Sequence, residues 1–567
     1  MLLSAFTEVI SLGAVLPFLG VLISPELVFN HPIVFKVAQS WSITSAEQLV
    51  LPLTLAFAIA AFLAGAIRML LLWASIRLAN ASGADLSIEV YRRTLYQSYK
   101  VHMARNSSDV ISSITNKVGG AVNVLQNLLT LISSTVLLIA IMCALIAINP
   151  VVALLAAICF GASYGLITWL SRSLLLRNSQ RIAYEQTQVV KALQEGLGGI
   201  RDVLLDGTQP VYCDIYRKAD LPLRRAAGNN SFIAQCPRYV MEALGIALIA
   251  ALAYGLSRQA GGIATALPVL GALALGAQRL LPAMQMIYSA WSIIAGSYAS
   301  LANIIELLDQ PMPAEILQPI PAPLPFTNTI HFHAVRFRYQ SDGPWVLNGF
   351  DLTIPKGARV GFVGSTGSGK STTLDLLMGL LIPVEGELKV DGQSLSGNRL
   401  RAWQQTIAHV PQSIYLADAT LAENIAFGVP SDSIDLERVR QAARHAQIAD
   451  FIESHPDGYR AYVGERGIRL SGGQRQRIGI ARALYKQASV LVFDEATSAL
   501  DNATEQSVMD AIEGLNRSFT IMLIAHRLTT VRRCDLIVEL EHGRVVALGT
   551  YEELLKCSPS FRQNAYA

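Results

Sequence analysis

Charge is scarce in this 567-residue sequence. Asp, Glu, Lys and Arg make up 15% of it and hydrophobic residues 52%, where soluble proteins carry about 25% charged residues. The shortfall excludes an ordinary soluble chain and points part of it into lipid. The net charge of +3 is too small to argue for nucleic acid as a partner. Cysteine is also sparse: Cys143, Cys159, Cys213, Cys236, Cys534 and Cys557 show neither paired nor metal-like spacing, so no disulfide framework is implied. The amino terminus lacks the basic leader and small-residue cleavage site of a signal peptide. The length excludes a single domain and predicts two or three.

The apolar residues lie mostly before residue 300. A membrane span needs about 20 of them, and six stretches qualify: roughly 2–24, 48–76, 123–148, 150–172, 238–257 and 263–296. The last exceeds one crossing and is expected to project beyond the bilayer. The first begins at the second residue without a lead-in, so a start upstream of Met1 is one expectation. Stretches 77–122 and 173–237 are rich in Arg and Lys, while the loops on the other side offer little beyond Lys36 and Arg258. By the positive-inside rule the rich stretches are cytoplasmic. Helix-period patterns such as "EQTQVVKALQEGL" predict that they continue the spans into water. Six prolines between Pro311 and Pro325 then predict an extended strap, since proline cannot continue a helix. The expected division is a membrane domain at 1–309, a linker at 310–328 and a mixed α/β domain at 329–567.

"VGFVGSTGSGKSTTLDLLMGLL" reads as a strand, a glycine-rich turn and a helix start. Gly364, Ser365, Thr366, Gly367, Ser368, Gly369, Lys370 and Ser371 fit G-x-x-x-x-G-K-S, and Thr372 follows. In that pattern backbone N–H groups close around phosphate oxygens, the lysine reaches the β/γ-phosphates and the serine ligates Mg²⁺. The cofactors implied are ATP and Mg²⁺. "VLVFDEATSALD" supplies a buried strand ending in Asp494, placed to hold Mg²⁺ through water. Glu495 follows and would polarise the attacking water.

Between the two motifs lies "LSGGQRQRIGIARAL", and after them a late histidine in "IMLIAHRL". Together these motifs resemble the ATP-binding cassette proteins. The resemblance covers the whole chain and implies an exporter half-transporter: six α-helical spans fused to a P-loop NTPase domain with a helical subdomain. It implies that Tyr339 stacks on adenine, that Gln412 contacts Mg²⁺ and senses the membrane domain, and that His526 bridges the γ-phosphate and the catalytic region. Ser471, Gly472, Gly473 and Gln474 would cap the γ-phosphate bound by the opposing subunit, with Asp501 at the dimer seam. "YVGERG" (462–467) resembles the segment that touches the coupling helices. One cassette holds half of each site, so a second copy of the chain is the expected partner, in a homodimer. A multi-pass protein of the bacterial inner membrane, its cassette in the cytoplasm, is implied.

Three arginines sit within or at the ends of apolar spans: Arg68, Arg238 and Arg279. A central arginine costs roughly 2.5–3.5 kcal/mol even on lenient insertion scales. A water-filled cavity between subunits would accommodate them and suit phosphate or pyrophosphate, which guanidinium binds in bidentate fashion. From spacing alone a structural role stands level with this one: Arg68 could snorkel or pair with Glu8, and Arg238 could pair with Glu242. "PRYVMEALG", "QRLLPAMQMIYS" and "FTEVISLGAVLPFLG" resemble segments of PglK-type lipid-linked oligosaccharide flippases. That resemblance implies a polyprenyl-pyrophosphate-linked sugar as substrate and a short external helix near residues 25–47, with Val34, Phe35, Val37 and Trp41 on one face. Another lipid, a drug or a peptide remain alternative cargoes. A regulatory ABC protein that gates a partner is the alternative of another class, though no motif here is degraded.

Overall fold

The computed structural model describes residues 3–4, 6–7, 29, 48, 50–148, 150–257, 280–313, 318–494, 519–524 and 528–566. They fall into two compact units, Met1–Gln97 with Arg105–Met312, and Ser98–Ala104 with Pro313–Ala567. Most of the expected span 2–24, the external helix and the first part of the expected span 263–296 lie outside the described residues.

The first unit is helical. Helix α1 is Val50–Leu95, α2 (Tyr99–Ala104) groups with the second unit, and α3 is Ser107–Ser112. Then come α4 (Val118–Ile148), α5 (Pro150–Gly198), α6 (Ile200–Leu205) and α7 (Gln209–Ser257). Helices α8 (Leu280–Gly296) and α9 (Tyr298–Leu308) meet at a bend of 54°. Among the described residues two helical stretches, Val50–Leu95 and Ser107–Ile146, are long and apolar enough to cross a membrane, or three if the bent pair is one span. Helices α5 and α7 each run unbroken for 49 residues and contain the expected stretches 150–172 and 238–257.

Ile141, Phe160, Tyr164, Met241, Leu280 and Tyr288 form a buried cluster in this unit. Phe62, Trp73, Leu166 and Trp169 remain exposed, a burial pattern that suits lipid or a second subunit and not water. A turn of π-helix, Ser113–Lys117, joins α3 to α4. It turns Lys117 inward, where the buried ammonium meets Asp109 at 3.0 Å, and Asp109 also accepts from the Thr187 hydroxyl of α5 at 3.3 Å. A buried lysine of this kind is stable only when paired. Arg93 holds the far end of the unit, with its guanidinium on Glu89 at 2.7 Å and on the Leu308 carbonyl.

The second unit contains two sheets. The first has the order β2-β1-β4-β5, with β1 Thr329–Phe337, β2 Leu347–Pro355, β4 Glu385–Val390 and β5 Gln393–Ser394, all antiparallel. The second has the order β10-β9-β3-β8-β7-β6. Its strands are β3 Arg359–Gly364, β6 Ile407–Val410, β7 Val490–Asp494, β8 Thr520–Ile524, β9 Leu536–Glu541 and β10 Arg544–Gly549. All its pairings are parallel except β9 with β10. The runs "VGFV", "VLVF" and "TIMLI" are buried along their length, as parallel strands covered on both faces require. Helices α10 (Lys370–Leu377) and α11 (Gly397–Thr406) and the short α12 (Leu421–Ile425) accompany the sheets. A helical layer of α13 (Leu436–His445), α14 (Ala449–Ser454) and α15 (Gly472–Tyr485) packs around Val439, Ala442, Ile452 and Ile478, all buried.

Candidate active site

The phosphate loop leaves the carboxyl end of β3, which lies between β9 and β8 in the sheet. Crevices outside the carboxyl ends of parallel strands are where such sheets bind ligands. Two glycines shape the turn. Gly364 has φ 147° and Gly369 φ 102°, and a Cβ at Gly364 would come within 2.2 Å of the Leu540 carbonyl oxygen. At Gly369 it would come within 2.8 Å of the Leu347 side chain. Only glycine fits either place, and the backbone is thereby free to approach a ligand closely.

Gly369 caps the amino end of α10. Ser365, Thr366 and Gly367 are exposed along the loop, Ser368 and Lys370 are buried, and Ser371 is exposed on the first helical turn. The Lys370 ammonium donates to the carbonyls of Gly364 at 2.7 Å and Ser365 at 2.9 Å, which folds it over the loop. The buried hydroxyl of Ser368 has no hydrogen-bond partner among the described residues. A helix amino terminus, a lysine on the loop and an orphaned hydroxyl together fit a phosphate group.

Sheet register brings the second motif alongside. Phe362 of β3 and Asp494 of β7 both pair with Ile524 of the intervening β8, so the β3 and β7 strands run about 10 Å apart. Val410 of β6 pairs with Phe493 of β7, so Gln412 emerges beside Asp494 at the same sheet end. Ser371, Gln412 and Asp494 offer the oxygen donors that Mg²⁺ takes, and the residue types fit that ion. Glu495, Asp501 and His526 lie outside the described residues.

Tyr339 follows β1, and its hydroxyl lies 3.0 Å from the Thr372 hydroxyl of α10. The structure therefore brings Tyr339 to the helix that the phosphate loop opens. Ser471 caps α15 by a reciprocal pair of bonds, its hydroxyl accepting from the Gln474 amide at 3.2 Å and its own amide donating to the Gln474 side chain at 2.8 Å. This capping box explains why a serine is followed three residues later by glutamine. Gly472 and Gly473 occupy the first turn, and Gly472 shares a groove of about 350 Å³ with Gln412, Arg466 and Arg475. In the expected coupling segment, Arg466 adopts φ 52° within a short turn at Glu465–Gly467.

One residue of the site escaped sequence reasoning. Asp375 on α10 is pushed up to about 6, first by burial and then by the neighbouring charge of Asp494. The signal was a lone carboxylate in the apolar run "TTLDLLMGLL". In the membrane unit Arg68 is exposed on α1. Arg238 pairs with Glu242 along α7 at 2.8 Å, and Arg279 lies outside the described residues.

Residues 347–498 match the family model described as ABC transporter. The chain is 42% identical over 264 residues to an ATP-dependent lipid A-core flippase of Chromohalobacter salexigens, a match covering 47% of this chain and 45% of that protein. The chain thus spans less than half the length of that relative within the matched stretch. A longer match, 28% identical over 98% of this chain and 90% of the relative, is to the heterocyst differentiation ATP-binding protein HepA of Nostoc sp.. The structure of a bacterial Atm1-family ABC exporter with ATP bound is similar at a TM-score of 0.79 and 26% identity, covering 98% of this chain and 97% of that one. With the phosphate loop, the aspartate strand and the capped signature helix in one unit and long apolar helices in the other, the chain has the fold of an ABC exporter half-transporter that carries an ABC transporter domain.

Proposed function

We propose that this chain pairs with a second copy of itself and uses ATP hydrolysis to move an amphipathic lipid across the bacterial inner membrane. The observation that carries this is a complete phosphate cradle in a chain whose whole length follows an exporter fold. Lys370 and the loop amides would neutralise the phosphate charge, and Tyr339 would hold the base. Ser371, Gln412 and Asp494 would hold Mg²⁺, which supplies charge neutralisation between the phosphates. Glu495 would orient the attacking water and His526 would steady the γ-phosphate. Ser471 and the amides of Gly472 and Gly473 would complete the site of the opposing copy, with Asp501 at the seam. Closure of the two cassettes would reach the spans through stretches near 104–112 and 206–218, where the helices break at Arg105–Asn106 and Asp206–Thr208.

For the cargo we infer an anionic head on a long apolar tail, a polyprenyl-pyrophosphate-linked oligosaccharide being the specific reading. Arg68, Arg238 and Arg279 would attract the pyrophosphate, which at Arg238 competes with Glu242. The relatives named ATP-dependent lipid A-core flippase favour a lipid A-type cargo as the second reading. The test is flipping and ATPase activity of the purified protein in liposomes carrying either lipid. ATP-dependent movement of the polyprenyl lipid, lost in Arg279→Ala while basal ATPase persists, is the expected result. Movement of the lipid A-type glycolipid alone selects the second reading, and unchanged transport in Arg279→Ala returns that arginine to a structural role.

A further inference from the structure

Away from the phosphate loop, His331, His333 and Asp351 converge on the antiparallel sheet of the second unit. One ligand atom from each lies within 4.8 Å of the other two. His331 and His333 alternate along β1, which puts both rings on one face of the strand, with ring centroids 5.5 Å apart. Asp351 stands on the neighbouring β2, its Oδ1 3.4 Å from the His331 Nε2.

We propose that these three residues form a binding site for a divalent late transition metal such as Zn²⁺. Imidazole with carboxylate is a donor set those metals take, and three protein ligands leave a position for water. The convergence is built by the backbone. A register shift between Phe332 and Val335 marks a bulge in β1, and Ala334 within it adopts φ 47°. Bulges of this kind re-aim side chains. On the other flank of β1, a Cβ on Gly386 would come within 2.5 Å of the His333 carbonyl oxygen and 2.4 Å of that of Ala334, so only glycine lets β4 close against the bulge.

The carboxylate is also oriented. The Ala334 amide donates to Asp351 Oδ2 at 3.0 Å, which leaves Oδ1 directed at His331. Outer contacts that fix a ligand in this way tune metal affinity by about 10–100-fold. The one cation in register beside the pair, Lys389 opposite His331, is engaged by Glu387 at 2.6 Å. With the histidines neutral, Asp351, Glu387 and Lys389 leave one net negative charge at the face, which favours a cation.

The experiment is a Zn²⁺ titration of the full chain in detergent micelles, purified without a histidine tag and competed against a chromophoric chelator. One Zn²⁺ per chain is expected, with affinity falling about tenfold or more in His333→Ala and in Asp351→Asn. Asp351→Asn keeps an acceptor for the Ala334 amide, so it tests ligation apart from folding. No zinc bound by the wild type, or affinity unchanged in both variants, overturns the assignment.

Discussion

Replacing Ser471 by alanine separates two roles that one hydroxyl is proposed to carry. Among the described residues the hydroxyl makes one hydrogen bond: it accepts from the Gln474 amide at 3.2 Å and caps α15. Losing such a cap costs about 1 kcal/mol, which for a domain of this size lowers the melting temperature by about 2–4 °C. Toward the opposing copy the same hydroxyl is proposed to donate to a charged phosphate. A hydrogen bond to a charged group is worth about 1.5–3 kcal/mol, or about 10–150-fold in rate when it is formed only in the closed, reacting pair. Ser471→Ala is therefore expected to melt within a few degrees of the wild type and to lose ATPase activity by one to two orders of magnitude. Differential scanning fluorimetry and phosphate release on one preparation measure both. An ATPase loss of only two- or threefold, or a melting point lower by about 10 °C, would refute the division of roles.

Three further outcomes are expected. Glu495→Gln should retain binding of a fluorescent ATP analogue and lose turnover by at least about 100-fold; sustained phosphate release by that variant removes Glu495 from its role. Gly364→Ala should abolish ATP binding, because the new Cβ would lie 2.2 Å from the Leu540 oxygen; equilibrium dialysis showing wild-type affinity would contradict the cradle. Asp375, raised by burial and Asp494 from its ordinary 3.8 to about 6, binds a proton more tightly folded than unfolded. The native state thus holds the extra proton between about pH 4 and pH 6, and stability falls as pH rises through that window. Asp375→Asn should accordingly raise the melting temperature more at pH 8 than at pH 5, and a gain independent of pH would rule out the linkage.

The phosphate loop and the capped helix at Ser471 were legible because their geometry is local in sequence. G-x-x-x-x-G-K-S needs its glycines at fixed offsets, and the capping box at Ser471 and Gln474 follows from one helical turn. Strand-end placement of Asp494 could be read from the apolar run before it. What could not be read depends on strands distant in the chain. The raised Asp375 arises first from its burial and then from its approach to Asp494, 119 residues later. The His331, His333 and Asp351 cluster depends on a bulge that no composition rule announces. In the membrane unit the apolar stretches were visible, but the inward turn of Lys117 onto Asp109 needed the π-helical turn to be seen. The Arg238–Glu242 pair lies at i,i+4 and was among the alternatives the sequence left open.

Helices α5 and α7 are 49 residues each. At 1.5 Å per residue each is about 74 Å long, while the hydrocarbon core of a bilayer is about 30 Å thick. At the average tilt of about 20° the lipid takes up about 32 Å of a helix, so more than half of each rod would stand outside it. Helix α7 has Pro222 and Pro237 in its interior, where proline kinks a helix. Helix α5 has none after its first residue, and a stiff rod of that length is a lever: a swing of about 5° about one end displaces the other by about 6 Å, wider than a water molecule and close to the width of a phosphate group. Small angular changes imposed on the aqueous ends would suffice to admit or shut out a charged headgroup. A kink introduced midway, for example by proline at an exposed position of α5, would absorb the motion and disconnect fuel from cargo while leaving both ends folded.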